Sequence, residues 1–122
     1  MRLAGRICGQ NIKEERIIKI LGSLGLMEKK DSLPHQLSGG QKRRAMVAIT
    51  YMRNPQLIFA DEPTNDLDEK WESVIIEVFR EWVKEGKTVV MVTHNRMLTE
   101  YADTCYEIQN RVLVEKAEVI HI

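Results

Sequence analysis

The chain has 122 residues, enough for one domain with a modest core. Its 18 Lys plus Arg balance 18 Asp plus Glu, which argues against a polybasic nucleic-acid tail, and no nucleic-acid partner is expected. No apolar run approaches the roughly 20 residues of a membrane span, and Met1-Arg2-Leu3-Ala4 turns polar too soon for a signal peptide, so a cytosolic chain is expected. The two cysteines, Cys8 and Cys105, match no metal spacing and read as reduced thiols.

Taken in order, residues 1–10 carry little signal. Asn11 with Glu14 reads as a capping box, and Ile17, Ile20, Leu21 and Leu24 then recur at helical spacing until Gly22 and Gly25 weaken and end the helix. Ser38 opens a second helix as a Ser-x-x-Gln capping box with Gln41. Ala45, Ala48, Ile49 and Met52 are its expected buried stripe, and Asn54-Pro55 stops it.

Leu57-Ile58-Phe59-Ala60 is an unbroken apolar run ending in Asp61-Glu62-Pro63, the pattern of a strand buried on both faces. Asp68 caps a long helix with Trp71, Val74, Ile75, Val78 and Trp82 on one face, and Gly86 closes it. Thr88 to Thr93 reads as a second buried strand. His94-Asn95 and a short helix to about Ala102 follow. Tyr106–Ile108 and Val112–Val114 read as a hairpin turning near Asn110. No repeat, low-complexity tract or Gly/Ser linker interrupts the chain, so 1–122 reads as one unit.

Strand, helix, strand is a βαβ unit with parallel strands and a right-handed crossover. The expected class is therefore α/β. Parallel strands end at one sheet edge, so Asp61-Glu62 and His94 are expected to emerge there, where open α/β sheets bind ligands. Two carboxylates at the tip of a buried strand are costly unless something positive offsets them. A magnesium ion on a nucleotide phosphate does so, with one carboxylate on the metal and the next on the attacking water. A solvated strand end before a proline turn is the plainer alternative. The capped helix start at Leu37-Ser38-Gly39-Gly40-Gln41 offers unpaired amides, the positive end of the helix dipole and two glycines that admit an anion, with Lys42, Arg43 and Arg44 adding positive charge behind. An ordinary capped helix after a glycine turn fits the same residues. His94 can donate to a phosphate or to water, or simply close a strand. Asp68 as an N-cap requires no further role.

The order of these motifs resembles one family, the ABC ATPases. Leu37 to Gln41 is identical to the LSGGQ signature, Leu57 to Glu62 looks like the Walker B strand with its catalytic glutamate, Pro63 to Asp68 resembles the segment ending in the D-loop, and His94 resembles the switch histidine. The resemblance implies a partial P-loop NTPase fold, with a parallel βαβ core (about 56–122) and part of the helical signature subdomain (about 11–53). It implies ATP and Mg2+, with Asp61 on the metal, Glu62 polarising the hydrolytic water and His94 near the γ-phosphate. Ser38, Gly39, Gly40 and Gln41 would contact ATP held by the opposite subunit, and Asp68 would communicate across that dimer. A second ABC ATPase domain and a transmembrane permease are the implied partners, placing the chain at the inner face of the membrane. Ala60-Asp61-Glu62-Pro63-Thr64 looks most like bacterial exporters of the lipoprotein-release and macrolide type.

One departure is large. No Gly-x-x-x-x-Gly-Lys-Ser/Thr phosphate loop occurs in the sequence, and neither a stacking aromatic nor a Q-loop is identifiable before the signature, Gln10 lying too near it. The chain is therefore expected to be a partial cassette, inactive alone, with sheet edges and apolar faces exposed and a tendency to self-associate. Two other functions fit parts of the pattern. A non-hydrolysing module could lend its signature in trans. For a soluble or repair-type ABC ATPase lobe the two forms differ. The repair type would need a long heptad coiled coil before the signature, and residues 1–36 offer only one short helix. A soluble translation-factor-like ABC ATPase stays open, because the Asn65-Asp66-Leu67-Asp68 turn does not exclude it.

Overall fold

The computed structural model describes residues 13–116. They fall into two compact units whose boundary lies between Met91 and Val92. The expected Asn11 cap lies outside the described residues.

In the first unit, α1 spans Glu14–Ser23 and buries Ile20 and Leu21. Glu14 and Glu15 sit in its first turn, where they complement the helix dipole. Its end is a Schellman motif: Leu26 N donates to Leu21 O at 2.8 Å, and Gly25 N to Gly22 O at 3.1 Å. Gly25 takes φ +61°, as that motif requires. Two short 3-10 turns, Met27–Lys29 and Pro34–Gln36, lead to α2 (Gly39–Arg53). Asn54 ends α2 in the left-handed conformation at φ 50°, and Lys87 Nζ donates to its Oδ1 at 2.8 Å.

The residues buried on α2 are Arg44, Val47, Ala48, Tyr51 and Met52. The expected stripe of Ala45, Ala48, Ile49 and Met52 is thus rotated by about one position, leaving Ala45 and Ile49 half-buried. Tyr51, the bulkiest of these side chains, turns inward against Trp82, and Val47 shares its helical face.

Strand β1 (Leu57–Asp61) leads through a double turn to α3 (Glu69–Lys84), which returns to β2 (Thr88–Val92). Strands β1 and β2 are neighbours in a parallel sheet, the α/β class expected. Helix α3 inserts Ile75, Ile76, Phe79 and Trp82, and Trp82 stacks with Tyr51 of α2 at 6.0 Å between ring centroids. Of the expected face, Trp71, Val74 and Val78 are only half-buried. A second Schellman end closes α3, with Lys87 N donating to Trp82 O at 3.0 Å and Gly86 at φ +85°.

The expectation of strands buried on both faces is corrected. On β1, Ile58 is 5% exposed whereas Phe59 is 75% exposed. On β2, Val89 and Met91 pack toward the core while Val90 is exposed. Alternate side chains of a strand point to opposite faces, and among the described residues helices cover only one of them.

In the second unit, Asn95 caps a 3-10 helix, Arg96–Tyr101, by accepting from Met97 N at 3.1 Å. The expected hairpin follows: β3 (Tyr106–Gln109) pairs antiparallel with β4 (Val112–Glu115), Gln109 opposite Val112. Asn110 and Arg111, at φ 50° and 66°, form the two-residue turn whose twist suits such a hairpin. Cys105 is a free thiol.

Candidate functional site

The start of α2 is built as its sequence requires. Gln41 N donates to Ser38 Oγ at 3.2 Å, and Ser38 N donates to Gln41 Oε1 at 3.0 Å. Ser38 and Gly39 are exposed, and a side chain at Gly39 would meet nothing within 4 Å. The described fold therefore does not require glycine there. The bare position leaves the first amides of the helix open to an anion. Gly40 differs: an added Cβ would sit 3.3 Å from Leu67 Cδ2 and 3.8 Å from Asp66 O. The helix start thus packs against the turn that follows β1.

That turn begins at the strand tip. Asp61 is exposed and Glu62 half-buried. Asn65 N donates to Glu62 O at 3.2 Å, and Leu67 N to Thr64 O at 3.2 Å, so residues 62–67 form two successive turns. Pro63 supplies the fixed φ that the first turn wants at its second position. Glu62 and Asp66 both lie in the left-handed region, at φ 44° and 63°. For a residue with a Cβ this costs about 1 kcal/mol each. Asp68 then caps α3, accepting from Trp71 N at 3.0 Å.

Two arginines on the first turns of α2 hold this assembly. Arg43 Nη1 donates to Glu62 O at 3.1 Å, and its Nη2 lies 3.8 Å from Asp66 Oδ2. Arg44 turns the other way. It is 7% exposed, donates from Nη1 to Leu24 O at 2.6 Å, and lies over the Trp71 ring at 3.6 Å from the centroid. Burial pushes its guanidinium below the usual arginine value, and the Asp68 carboxylate opposes that shift. The sequence reading of Lys42, Arg43 and Arg44 as one positive patch behind the glycines is therefore corrected: Arg44 is a core residue and Arg43 a tie. The signal for Arg44 was its spacing from Val47, Ala48 and Tyr51 on one helical face. Nothing in the sequence pointed to the contact between Arg43 and the Glu62 carbonyl.

The structure thus brings the helix that Ser38, Gly39, Gly40 and Gln41 open against the Glu62–Asp68 turn within one unit, through Gly40 and Arg43. His94 lies in the second unit, exposed, two residues past the end of β2. An open cleft of about 500 Å³ elsewhere in the first unit is lined by Arg16, Lys19, Tyr51, Asn54, Glu85 and Lys87, among others, and by none of the predicted site residues.

The donor set is suited to part of a magnesium–nucleotide site. One exposed carboxylate beside a second is what Mg2+ takes when phosphates and waters complete its shell. No cluster of three potential protein ligands occurs among the described residues. The open helix start suits a phosphate edge. A loop able to cradle the phosphates is absent from the sequence.

Comparison with known proteins agrees with this geometry. The family model described as ABC transporter matches residues 2–65, just over half of the chain. The chain is 37% identical over 113 residues to the "Putative hemin import ATP-binding protein HrtA" of Staphylococcus aureus strain bovine RF122 / ET3-1, covering 90% of this chain and 51% of that protein. The HrtA protein of strain Newman matches at the same identity and coverage. Among solved structures, the dimeric ATP-binding cassette MJ0796 in a post-hydrolysis state bound to ADP and Pi superposes with a TM-score of 0.67 at 35% identity. That match covers 74% of this chain and 40% of the cassette. A second dimeric structure of MJ0796, a bacterial ABC transporter cassette, matches equally. The chain spans about half the length of the curated relatives it matches.

Proposed function

Since this chain belongs to the ABC transporter family, within its ATP-binding domain, we propose that it serves the ATP-binding subunit of a transporter, coupling ATP hydrolysis to movement of a substrate across a membrane. The observation that carries the proposal is the packing of the Ser38-capped helix start against the Glu62–Asp68 turn, tied by Arg43. In this reading Leu37 to Gln41 is the signature and Leu57 to Glu62 the Walker B strand. Asp61 would help hold magnesium, which would neutralise phosphate charge, and Glu62 would orient the attacking water and take its proton. His94 donates toward the terminal phosphate. Ser38, Gly39, Gly40 and Gln41 face nucleotide bound by a second ATP-binding domain, with Asp68 at the junction. The dimeric MJ0796 structures support a second ATP-binding domain as partner, and the bare Gly39 leaves the helix start open to it.

No described helix is long and apolar enough to cross a membrane; the family supports a permease partner at the inner face that carries the membrane path. The Ala60 to Thr64 string supports a place among lipoprotein-release and macrolide-type exporters. The names of the Staphylococcus aureus relatives make hemin a second substrate to test.

Because the sequence contains no phosphate loop, the chain supplies signature and Walker B functions while the loop comes from elsewhere. A purely non-hydrolysing role in trans is the second reading. Equilibrium binding of labelled ATP with magnesium tests the half-site, and turnover distinguishes the two readings. The chain alone should not bind. Joined to the phosphate-loop half of an ABC cassette as one complete domain it should support turnover, and Glu62→Gln should abolish that turnover while nucleotide stays bound. Turnover unaffected by Glu62→Gln would leave only the trans-acting role. Binding by the chain alone that disappears in Asp61→Ala would refute the half-site.

A further inference from the structure

We propose that Arg43 is a positioning residue for Glu62, setting the direction of its carboxylate from the first turns of the helix that begins at Gly39. The inference rests on the reading of Glu62 as the group that activates water. Two non-glycine residues of the 62–68 turn, Glu62 and Asp66, lie in the left-handed region, and these are the two that Arg43 contacts. Such conformations persist only where the surroundings over-determine them. The Glu62 carbonyl accepts from both Asn65 N and Arg43 Nη1, which fixes the peptide plane after Glu62. The second guanidinium nitrogen reaches the Asp66 carboxylate at 3.8 Å, at the far end of the double turn. A planar fork can hold two such groups at once, and a lysine ammonium cannot hold both in the same geometry.

The tie has a functional direction. Arg43 is two residues beyond Gln41, so any shift of the helix start against nucleotide moves the anchor of the Glu62 backbone. Engagement of the Ser38–Gln41 segment by a partner and alignment of Glu62 are thereby one mechanical event. Arg43 is about two-thirds buried, and its side chain leads to the turn rather than to bulk solvent.

The test compares wild type, Arg43→Ala and Arg43→Lys, each joined to the phosphate-loop half of an ABC cassette as one complete domain. Arg43→Ala should lower kcat by between about tenfold and a hundredfold, with KM for ATP changed less than about twofold, as expected when an aligned group is displaced without loss of binding. Arg43→Lys should recover part of the rate. In the chain alone, the Asn65 and Leu67 amides should exchange faster in Arg43→Ala, while amides of α3 do not. A wild-type kcat, unchanged exchange at Asn65, or Arg43→Lys as impaired as Arg43→Ala would overturn the proposal. If Arg43→Ala unfolds, Arg43→Met, which keeps the length of the side chain but has no donor for the Glu62 carbonyl, takes its place with the same expected order. Glu62→Gln alongside separates the two possible failures. Turnover in Glu62→Gln refutes the catalytic reading and with it this role. Loss of turnover in Glu62→Gln beside full activity in Arg43→Ala refutes the role of Arg43 alone.

Discussion

Replacing Gly25 with alanine tests whether the loop after α1 is locked by Trp71 and Arg44. A Cβ at this position would fall 2.3 Å from Trp71 Cη2, 3.0 Å from Cζ2 and 3.2 Å from Arg44 Nη1. Carbon contacts are comfortable at about 3.5–4.0 Å, so the indole must move by about 1 Å or more. That indole carries the Arg44 guanidinium on its face, and Arg44 is the donor to Leu24 O. Overpacking of this kind costs about 1–3 kcal/mol. The backbone adds its own cost, since φ is +61° and an alanine there loses about 1 kcal/mol. The expected destabilisation is about 2–4 kcal/mol, read as a fall of about 1–3 M in the urea midpoint for an m-value near 1.5 kcal/mol per M. Gly86→Ala is the internal control. Its φ is +85° but a Cβ there meets nothing within 4 Å, so only the backbone cost of about 1 kcal/mol should appear. Equal losses in the two variants would refute the packing argument. A double variant, Gly25→Ala with Trp71→Leu, should recover part of the difference, because neighbours that clash do not add independently.

Other expectations follow from the same structure. Ser38→Ala removes the oxygen that accepts from Gln41 N and should cost about 1 kcal/mol, seen as faster exchange of the Gln41 amide; an unchanged rate would deny the cap. Asp68→Ala should cost about 1 kcal/mol of stability, while Asp68→Asn keeps an acceptor for Trp71 N and should stay within about 0.5 kcal/mol. Turnover lost in the asparagine variant as well would place Asp68 in function as well as in capping, and turnover kept would confine it to capping. Phe59→Lys alters a residue 75% exposed on the outer sheet face, so sedimentation should show less self-association with unfolding free energy unchanged within about 0.5 kcal/mol; identical association would mean that this face is not the sticky one.

Much of the chemistry was legible because it depends on local rules. The Ser38 and Gln41 pair, the Asp68 cap, the glycine ends at Gly25 and Gly86 and the Asn110 turn each need only a few neighbouring residues, and each occurs as the sequence implies. The strand–helix–strand order followed from apolar runs and their breaks. Which residues of α2 point inward was harder, because a 3.6-residue period leaves adjacent positions competing and bulk decides between them.

The sequence by itself determined the elements, their order, and the residue types that carry phosphate and water chemistry. Only the tertiary structure decided what depends on distance. It turned Arg44 into the core against Trp71 and sent its neighbour Arg43 to the Glu62 carbonyl, a split that no local pattern of consecutive basic residues encodes. It also left one face of β1 and β2 open, since burial of a strand face is set by what packs over it and not by the strand's own apolar run.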